Sequence, residues 1–224
     1  VDMNEEHRKY YEEKRRYYYS LLENNTSSQG TFDKFFVLQA INELRHIVSS
    51  PELDNNKIIS SKKEVLIENV IEAIENDHKV LIFVNYLSSI ESICNSLKEN
   101  KIKFLKMTGQ TKDRQSLVDK FQSDNRYKVF VMTLKTGGVG LNLVSADTIF
   151  IYDPWWNKTV ENQAIDRAYR LGQDKTVFAY KMIMRNTIEE KILKLQEIKD
   201  KLLDDLISED NLSTKNLSKN DIEF

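Results

Sequence analysis

The sequence is poor in the residues that cross-link, ligate or interrupt a chain. One cysteine, Cys94, in 224 residues excludes an internal disulfide and any metal cluster built from thiolates. It falls in the apolar phase of a helical stretch and is expected to be a small buried hydrophobe. The three histidines, His7, His46 and His78, are scattered in polar surroundings, so no metal site is expected of them. No apolar run approaches the roughly 20 residues that span a bilayer. With no signal peptide in evidence either, the protein is expected inside the cell. Charge of one sign is also missing: 33 Lys and Arg stand against 35 Asp and Glu, a formal net charge of -2. That balance gives no global electrostatic case for nucleic acid, and any such surface must be a local patch.

What is there describes an ordinary globular chain, 40% hydrophobic and 30% charged, long enough for one α/β domain with an appendage. It opens on Val1 in mid-pattern, as expected of a fragment of a longer protein. Residues 5–24 are helical in composition, NNTSSQG is a loop, and residues 32–48 suggest a second helix. That helix presents Phe35, Phe36, Leu38, Ile41, Leu44, Ile47 and Val48 on one broad face, and Pro51 stops it. From Ser60 the rhythm becomes alternating helices and strands. KVLIFVN is a short, almost wholly apolar run of the kind buried on both faces of a parallel sheet. KFLKM, KVFVMT, TIFIYD and VFAYKMIM follow, with helices over about 88–99, 112–122 and 159–170 between them. Strands joined by helices predict a doubly wound parallel sheet. A long amphipathic helix opens at Thr187, with an apolar stripe at Ile188, Ile192, Leu195, Ile198, Leu202 and Leu206. The expected organisation is a helical extension over 1–57, an α/β lobe over 58–186, a helix over 187–207 and a polar tail over 208–224.

Ligands of open parallel sheets bind beyond the carboxyl ends of the strands. The residues falling there are Asn85, Thr108, Gly109, Gln110, the segment 133–142, and Asp153 to Trp156. In TLKTGGVGLNL, Gly137, Gly138 and Gly140 are half of the chain's six glycines. Such density after a strand lets backbone N–H groups approach an anion, although a tight turn explains it equally well. The segment is neither a P-loop nor a dinucleotide fingerprint, and no G-x-x-x-x-G-K-[ST] occurs in the sequence. In QAIDRAYRLGQ, residues 163–173, helical spacing puts Gln163, Arg167 and Arg170 on one face. Neighbouring arginines repel one another, which points to an anionic partner such as phosphate; pairing with Asp166 or Asp174 on a solvated face is the plainer alternative.

Taken in order, these segments resemble the C-terminal RecA-like motor lobe of the Swi/Snf-type ATPases, a branch of the superfamily 2 helicases. KVLIFVNYLSSIESI resembles motif IV, and MTGQTKDRQSLVDKF the segment after it. VFVMTLKTGGVGLNLVSADTIFIYDPWWN resembles motif V with its extension, and QAIDRAYRLGQ resembles motif VI. INELRHIVSSPEL is similar to the block that precedes this lobe. The sequence departs from the family at Tyr169, where histidine is common, and at Lys158, where proline is common. Val48 and Ser50 stand where the upstream block usually has cysteine and histidine.

The resemblance implies a lobe that works on ATP and Mg2+ held mainly by a first RecA-like lobe. Arg167 and Arg170 would act as arginine fingers, with Gln163, Gly138 and Gly140 near the nucleotide. Double-stranded DNA would be gripped through its phosphates by Asn85, Thr108, Gly109, Thr133, Lys135 and Trp156, with Lys112 a further candidate. An aromatic wedge packing the extension onto the lobe is the plainer expectation for Trp156. The helix from Thr187 is expected to brace the lobes. The alternatives are a DEAD-box RNA helicase lobe, whose motif VI ordinarily reads H-R-x-G-R-x-x-R, and a non-catalytic α/β interaction module. Abundant Asn, Lys and Ile suggest an AT-rich genome, bacterial or protozoan; with no chromatin-reading module in this sequence the expectation is a bacterial cytoplasm with its nucleoid, or a nucleus if the source is eukaryotic.

Overall fold

The computed structural model describes residues 1–24, 34–137, 140–155, 157–170 and 172–208, with side chains through Ile198. Two helices come first, α1 (Glu5–Asn24) and α2 (Lys34–Ser49), then a short 3-10 turn at Pro51–Leu53. The alternating part runs α3 (Ser61–Glu75), β1 (Val80–Val84), α4 (Leu87–Glu99), β2 (Phe104–Met107), α5 (Arg114–Ser123) and β3 (Val129–Thr133). It continues with α6 (Leu134–Gly137), β4 (Thr148–Ile151), α7 (Lys158–Ile165) and β5 (Phe178–Lys181), and α8 (Ile188–Ser208) closes it.

The strands form one five-stranded sheet in the order β2-β3-β1-β4-β5, and every pairing is parallel. Every residue of the central strand, β1, is buried, because alternate side chains serve opposite faces. Val80, Ile82 and Val84 join a cluster with Leu66, Val70, Ile93 and Leu97 of α3 and α4. Leu81 and Phe83 join the other, with Val118 and Phe121 of α5 and Ala164 of α7. Cys94 lies in the first cluster, where burial pushes its thiol up to about 11, so it is an inert hydrophobe at neutral pH. The α/β sheet with helices on both faces is the fold expected from the strand and helix rhythm.

Local chemistry sets the ends of several helices. Ser60 caps α3 by accepting from the Lys63 amide, and Asn157 caps α7 by accepting from Thr159. Lys158 is then the first residue of α7, a position where proline also fits, so the departure at this site leaves the helix start intact. At α8 the Thr187 hydroxyl accepts from the Glu189 amide at 3.2 Å. The Tyr11 hydroxyl, from α1, accepts from the Ile188 amide at 2.8 Å.

Three expectations change. The apolar face of α2 is buried only in its second half: Leu44, Ile47 and Val48 pack with Tyr11, Met184, Ile188 and Ile192 in a third cluster, while Phe35, Phe36 and Leu38 are exposed. Helical periodicity marks a stripe that could be buried, and the length of the partner surface decides how much of it is. Ile198 of α8 is exposed for the same reason. His7 sits in no polar surface at all. It is wholly buried, its Nε2 is 2.8 Å from the Ile47 carbonyl and its Nδ1 is 3.4 Å from Ser61 Oγ.

Burial lowers the pKa of His7 from 6.5, against opposing contributions from the Ile47 hydrogen bond and Glu52. Burial lowers that of His46 as well. A base with a depressed native pKa is protonated more readily when unfolded, so stability falls as pH drops through the unfolded value. We expect the thermal midpoint to be lower at about pH 5.5 than at about pH 7.5, with a smaller difference in His7→Gln. Scanning calorimetry at the two pH values checks this.

Candidate functional site

The strand register decides what meets at the carboxyl ends. Met107 of β2 pairs with Met132 of β3, Val84 of β1 with Thr133 of β3, and Phe83 of β1 with Ile151 of β4. The segments beginning at Thr108, Thr133, Asn85 and Tyr152 therefore leave the sheet at nearly one level, at strand spacings of about 4.8 Å. Asn85, Thr108 and Thr133 thus fall along a single crest.

At the β2 end, Thr108 to Thr111 form a turn: the Thr111 amide donates to the Thr108 carbonyl at 3.1 Å, and Thr111 Oγ1 accepts from the Thr108 amide at 3.0 Å. A side chain at Gly109 would meet nothing within 4 Å, so packing does not require glycine there and the backbone lies bare. At the β3 end, Thr133 Oγ1 accepts from the Thr136 amide at 3.3 Å, which commits the hydroxyl to the opening turn of α6. Lys135 is exposed and makes no ion pair with another described residue. Glycine is required at 137, where a Cβ would fall 2.3 Å from Phe83 Cε1 on β1, and favoured at Gly140, where φ is +54°. Gly138 lies outside the described residues, as does Trp156.

Asn85 is held inward. Its Nδ2 donates to the Asp153 carbonyl at 2.5 Å and its amide donates to Asp153 Oδ2 at 3.0 Å, which ties the end of β1 to the end of β4. Glu161 of α7 accepts from the Trp155 amide at 2.6 Å and pairs with Lys181 at 2.5 Å. Gln196 of α8 donates to the Trp155 carbonyl. The loop after β4 is therefore anchored from helices on either side of it. Of these anchors only Asp153 is among the residues that the sequence places beyond the strand ends; Glu161 and Gln196 carry no signature there.

The helix carrying the arginines is shorter than its periodicity suggests. α7 ends at Ile165, and the chain continues in turns through Arg170. Beyond that end, bonds from outside the helix hold the turns. The Arg167 carbonyl accepts from the Leu143 amide at 3.0 Å, and the Gln173 side chain donates to Val144, Ala146 and Ala168 carbonyls at 2.9, 2.8 and 3.2 Å. Gly172, at φ +98°, lets the chain turn back for this. Gln173 is the staple that joins the arginine segment to the end of the glycine segment, a role its place in the motif did not reveal.

Arg170 and Gln163 are exposed and Arg167 is half-buried. Arg167 Nε donates to the Gln163 carbonyl at 3.1 Å. Among the described residues neither arginine pairs with Asp166, Asp174 or any other carboxylate. Two guanidinium groups with no carboxylate partner among the described residues, on a segment bonded to Leu143, form a cationic patch in a chain whose net charge is -2. Such a patch suits an oxyanion with several oxygens.

The helicase conserved C-terminal domain family model matches residues 61–172, half of the chain. The chain belongs to that family. This helicase C-terminal domain is of the Swi2/Snf2 type: it is similar to the Sulfolobus solfataricus SWI2/SNF2 ATPase C-terminal domain, at 25% identity and a TM-score of 0.74, covering 99% of this chain and 92% of that one. It is similar also to the SWI2/SNF2 ATPase core of the same organism in complex with dsDNA, at 29% identity and a TM-score of 0.73, over 93% of this chain and 45% of that one. Among curated proteins it is 39% identical to an uncharacterized ATP-dependent helicase of Mycoplasma pneumoniae over 79% of this chain and 17% of the relative. The domain spans about a fifth of the length of the curated relatives it matches. Among the described residues of the domain no helix is long and apolar enough to cross a membrane.

Proposed function

We propose that this chain is the second motor lobe of an ATP-dependent double-stranded DNA translocase, with Arg167 and Arg170 reaching the terminal phosphates of ATP across a cleft. The observation that carries the reading is their state: accessible guanidinium groups with no carboxylate partner among the described residues, on a turn stapled to the glycine segment. Neutralising charge that develops on a transferred phosphoryl group requires that arrangement. The donor set fits the phosphate oxygens of ATP, and we assign Gln163, Gly138 and Gly140 to the same nucleotide. Mg2+ needs oxygen ligands, which we assign to the first RecA-like lobe together with the P-loop that this sequence lacks. On this reading the 224-residue chain alone does not hydrolyse ATP.

Duplex DNA is gripped at the crest through its phosphates, since a translocase must pass over any sequence. The bare Thr108–Gly109 turn and Lys135 are the direct contacts, with Lys112 beyond them. Asn85 and Thr133, whose side chains are held internally, contribute through backbone and position, and we assign Trp156 to DNA binding with them. The dsDNA complex of the similar Sulfolobus core supports this assignment. Residues 1–57 form a helical extension, 58–186 the lobe and 187–207 a brace against which the lobes close and reopen. The protein works where duplex DNA is, in a bacterial nucleoid or a nucleus.

The glutamine-led spacing of residues 163–173 favours a double-stranded DNA motor over an RNA helicase lobe. The uncompensated arginines disfavour an interaction module that has lost its chemistry, in which like charges would relax by mutation. The test is ATP turnover by the full-length protein with duplex DNA, single-stranded DNA and RNA in parallel. Duplex DNA is expected to stimulate most; equal stimulation by RNA, or none by duplex, overturns the reading.

A further inference from the structure

The upstream helix α2 contains one of the largest wholly buried side chains in the molecule, Arg45, at 1% exposure. Its Nη2 donates to the Pro154 carbonyl at 2.7 Å. Its guanidinium carbon lies 5.3 Å from the ring centre of Tyr86 and 5.4 Å from that of Trp155, so the cation lies against both rings. Tyr86 directly follows Asn85 at the end of β1, and Trp155 directly follows Pro154 beyond β4. One turn further along α2, Ser49 Oγ donates to Asp153 Oδ1 at 2.5 Å, while Asp153 Oδ2 accepts from the Asn85 amide. The Ser49 carbonyl accepts from the Tyr152 hydroxyl at 2.6 Å. A helix more than 100 residues away in sequence thus contacts every position from 152 to 155 directly.

Burying a guanidinium costs far more than burying an aliphatic chain of the same length. Filling the space between Tyr86 and Trp155 does not require a charge. What arginine supplies and an aliphatic does not is a directed hydrogen bond to one carbonyl, made by a flat group held against two aromatic rings. The Pro154 carbonyl sits immediately before the tandem tryptophans, and the opposite side of the loop is held by Gln196 of α8 at the Trp155 carbonyl. Since α2 and α8 share one apolar cluster, a shift of either helix is carried to the loop from both sides.

We infer that Arg45 is a positioning residue: it fixes the Pro154–Trp155 stretch beyond β4 in the orientation in which the crest engages duplex DNA. The inference rests on the proposed function for its DNA half only. Its structural half has an independent readout, because the chain contains two tryptophans and both are in this loop.

The test uses Arg45→Met, which keeps the length of the stem and deletes the bond to Pro154, and Arg45→Lys, which keeps the charge and loses the flat fork. In the 224-residue chain, tryptophan emission and acrylamide quenching report on the loop, with circular dichroism confirming that the helices persist. In the full-length protein, ATP turnover is measured against duplex DNA concentration. We expect greater tryptophan exposure in Arg45→Met. The duplex concentration for half-maximal turnover should rise about tenfold to a hundredfold, the scale of a misplaced contact, while turnover without DNA is unchanged. Arg45→Lys should fall between, and it serves alone if Arg45→Met does not fold. Unchanged tryptophan quenching in the folded variants overturns the inference, and so does a changed loop with an unchanged DNA requirement. A wild-type protein that duplex DNA does not stimulate refutes the motor reading instead, leaving the fluorescence to decide whether Arg45 positions the loop.

Discussion

Arg170→Ala in the full-length protein is expected to lower duplex-stimulated ATP turnover at saturating ATP and DNA by about a thousandfold, the lower end of what an arginine finger contributes. That is roughly 4 kcal/mol of transition-state stabilisation. The thermal midpoint and the DNA concentration for half-maximal response should not move, because Arg170 is exposed and makes no ion pair among the described residues, so its removal breaks no ion pair among them. Arg170→Lys should recover little: an ammonium supplies charge but not a planar pair of donors. Arg167→Ala should cost a similar loss of turnover with a small loss of stability, since Arg167 also bonds the Gln163 carbonyl. Steady-state kinetics with scanning calorimetry on the same preparations separates the two effects. Wild-type turnover in Arg170→Ala would end the arginine-finger assignment.

Lys62→Met is expected to be the most damaging single change to stability. Lys62 Nζ lies 2.6 Å from Glu189 Oε1, at side-chain exposures of 0% and 2%, and joins α3 to the first turn of α8. Removing the lysine strands a buried carboxylate, whose pKa burial already raises despite the lysine beside it. Breaking such a pair from one side costs about 3–5 kcal/mol, or very roughly 10 °C in thermal midpoint for a domain of this size. The double variant Lys62→Met with Glu189→Leu should recover most of that loss, because two apolar chains need no counterion. A single variant as stable as the wild type would show that the Met184 amide, which donates to Glu189 Oε2 at 2.9 Å, satisfies the carboxylate alone.

The pair shows where sequence reading stops. Lys62 and Glu189 look like ordinary charged residues at helix starts, and nothing local says that they meet. The same holds for Ser49 and Asp153, for Gln196 and Trp155, and for Gln173, whose acceptors lie between positions 144 and 168. Each depends on how far one element overlaps another, which periodicity does not encode. Overlap also explains why Phe35 and Leu38 share a helical stripe with Leu44 and Ile47 yet remain exposed.

By itself the sequence determined the alternation of strands and helices from Ser60 on, the burial of β1 on both faces, and which segments reach the carboxyl ends of the strands. These follow from side-chain period and the one-sided geometry of parallel sheets, both of which act over a few residues. The tertiary structure alone decided that α7 stops at Ile165 and that the Arg167 carbonyl beyond it accepts from Leu143. It alone decided that Asn85 turns inward to Asp153, and that helices at the two ends of the chain hold the loop between them. Those outcomes are competitions for hydrogen-bond partners and counterions between groups far apart in the chain, and only the packed fold brings the competitors together.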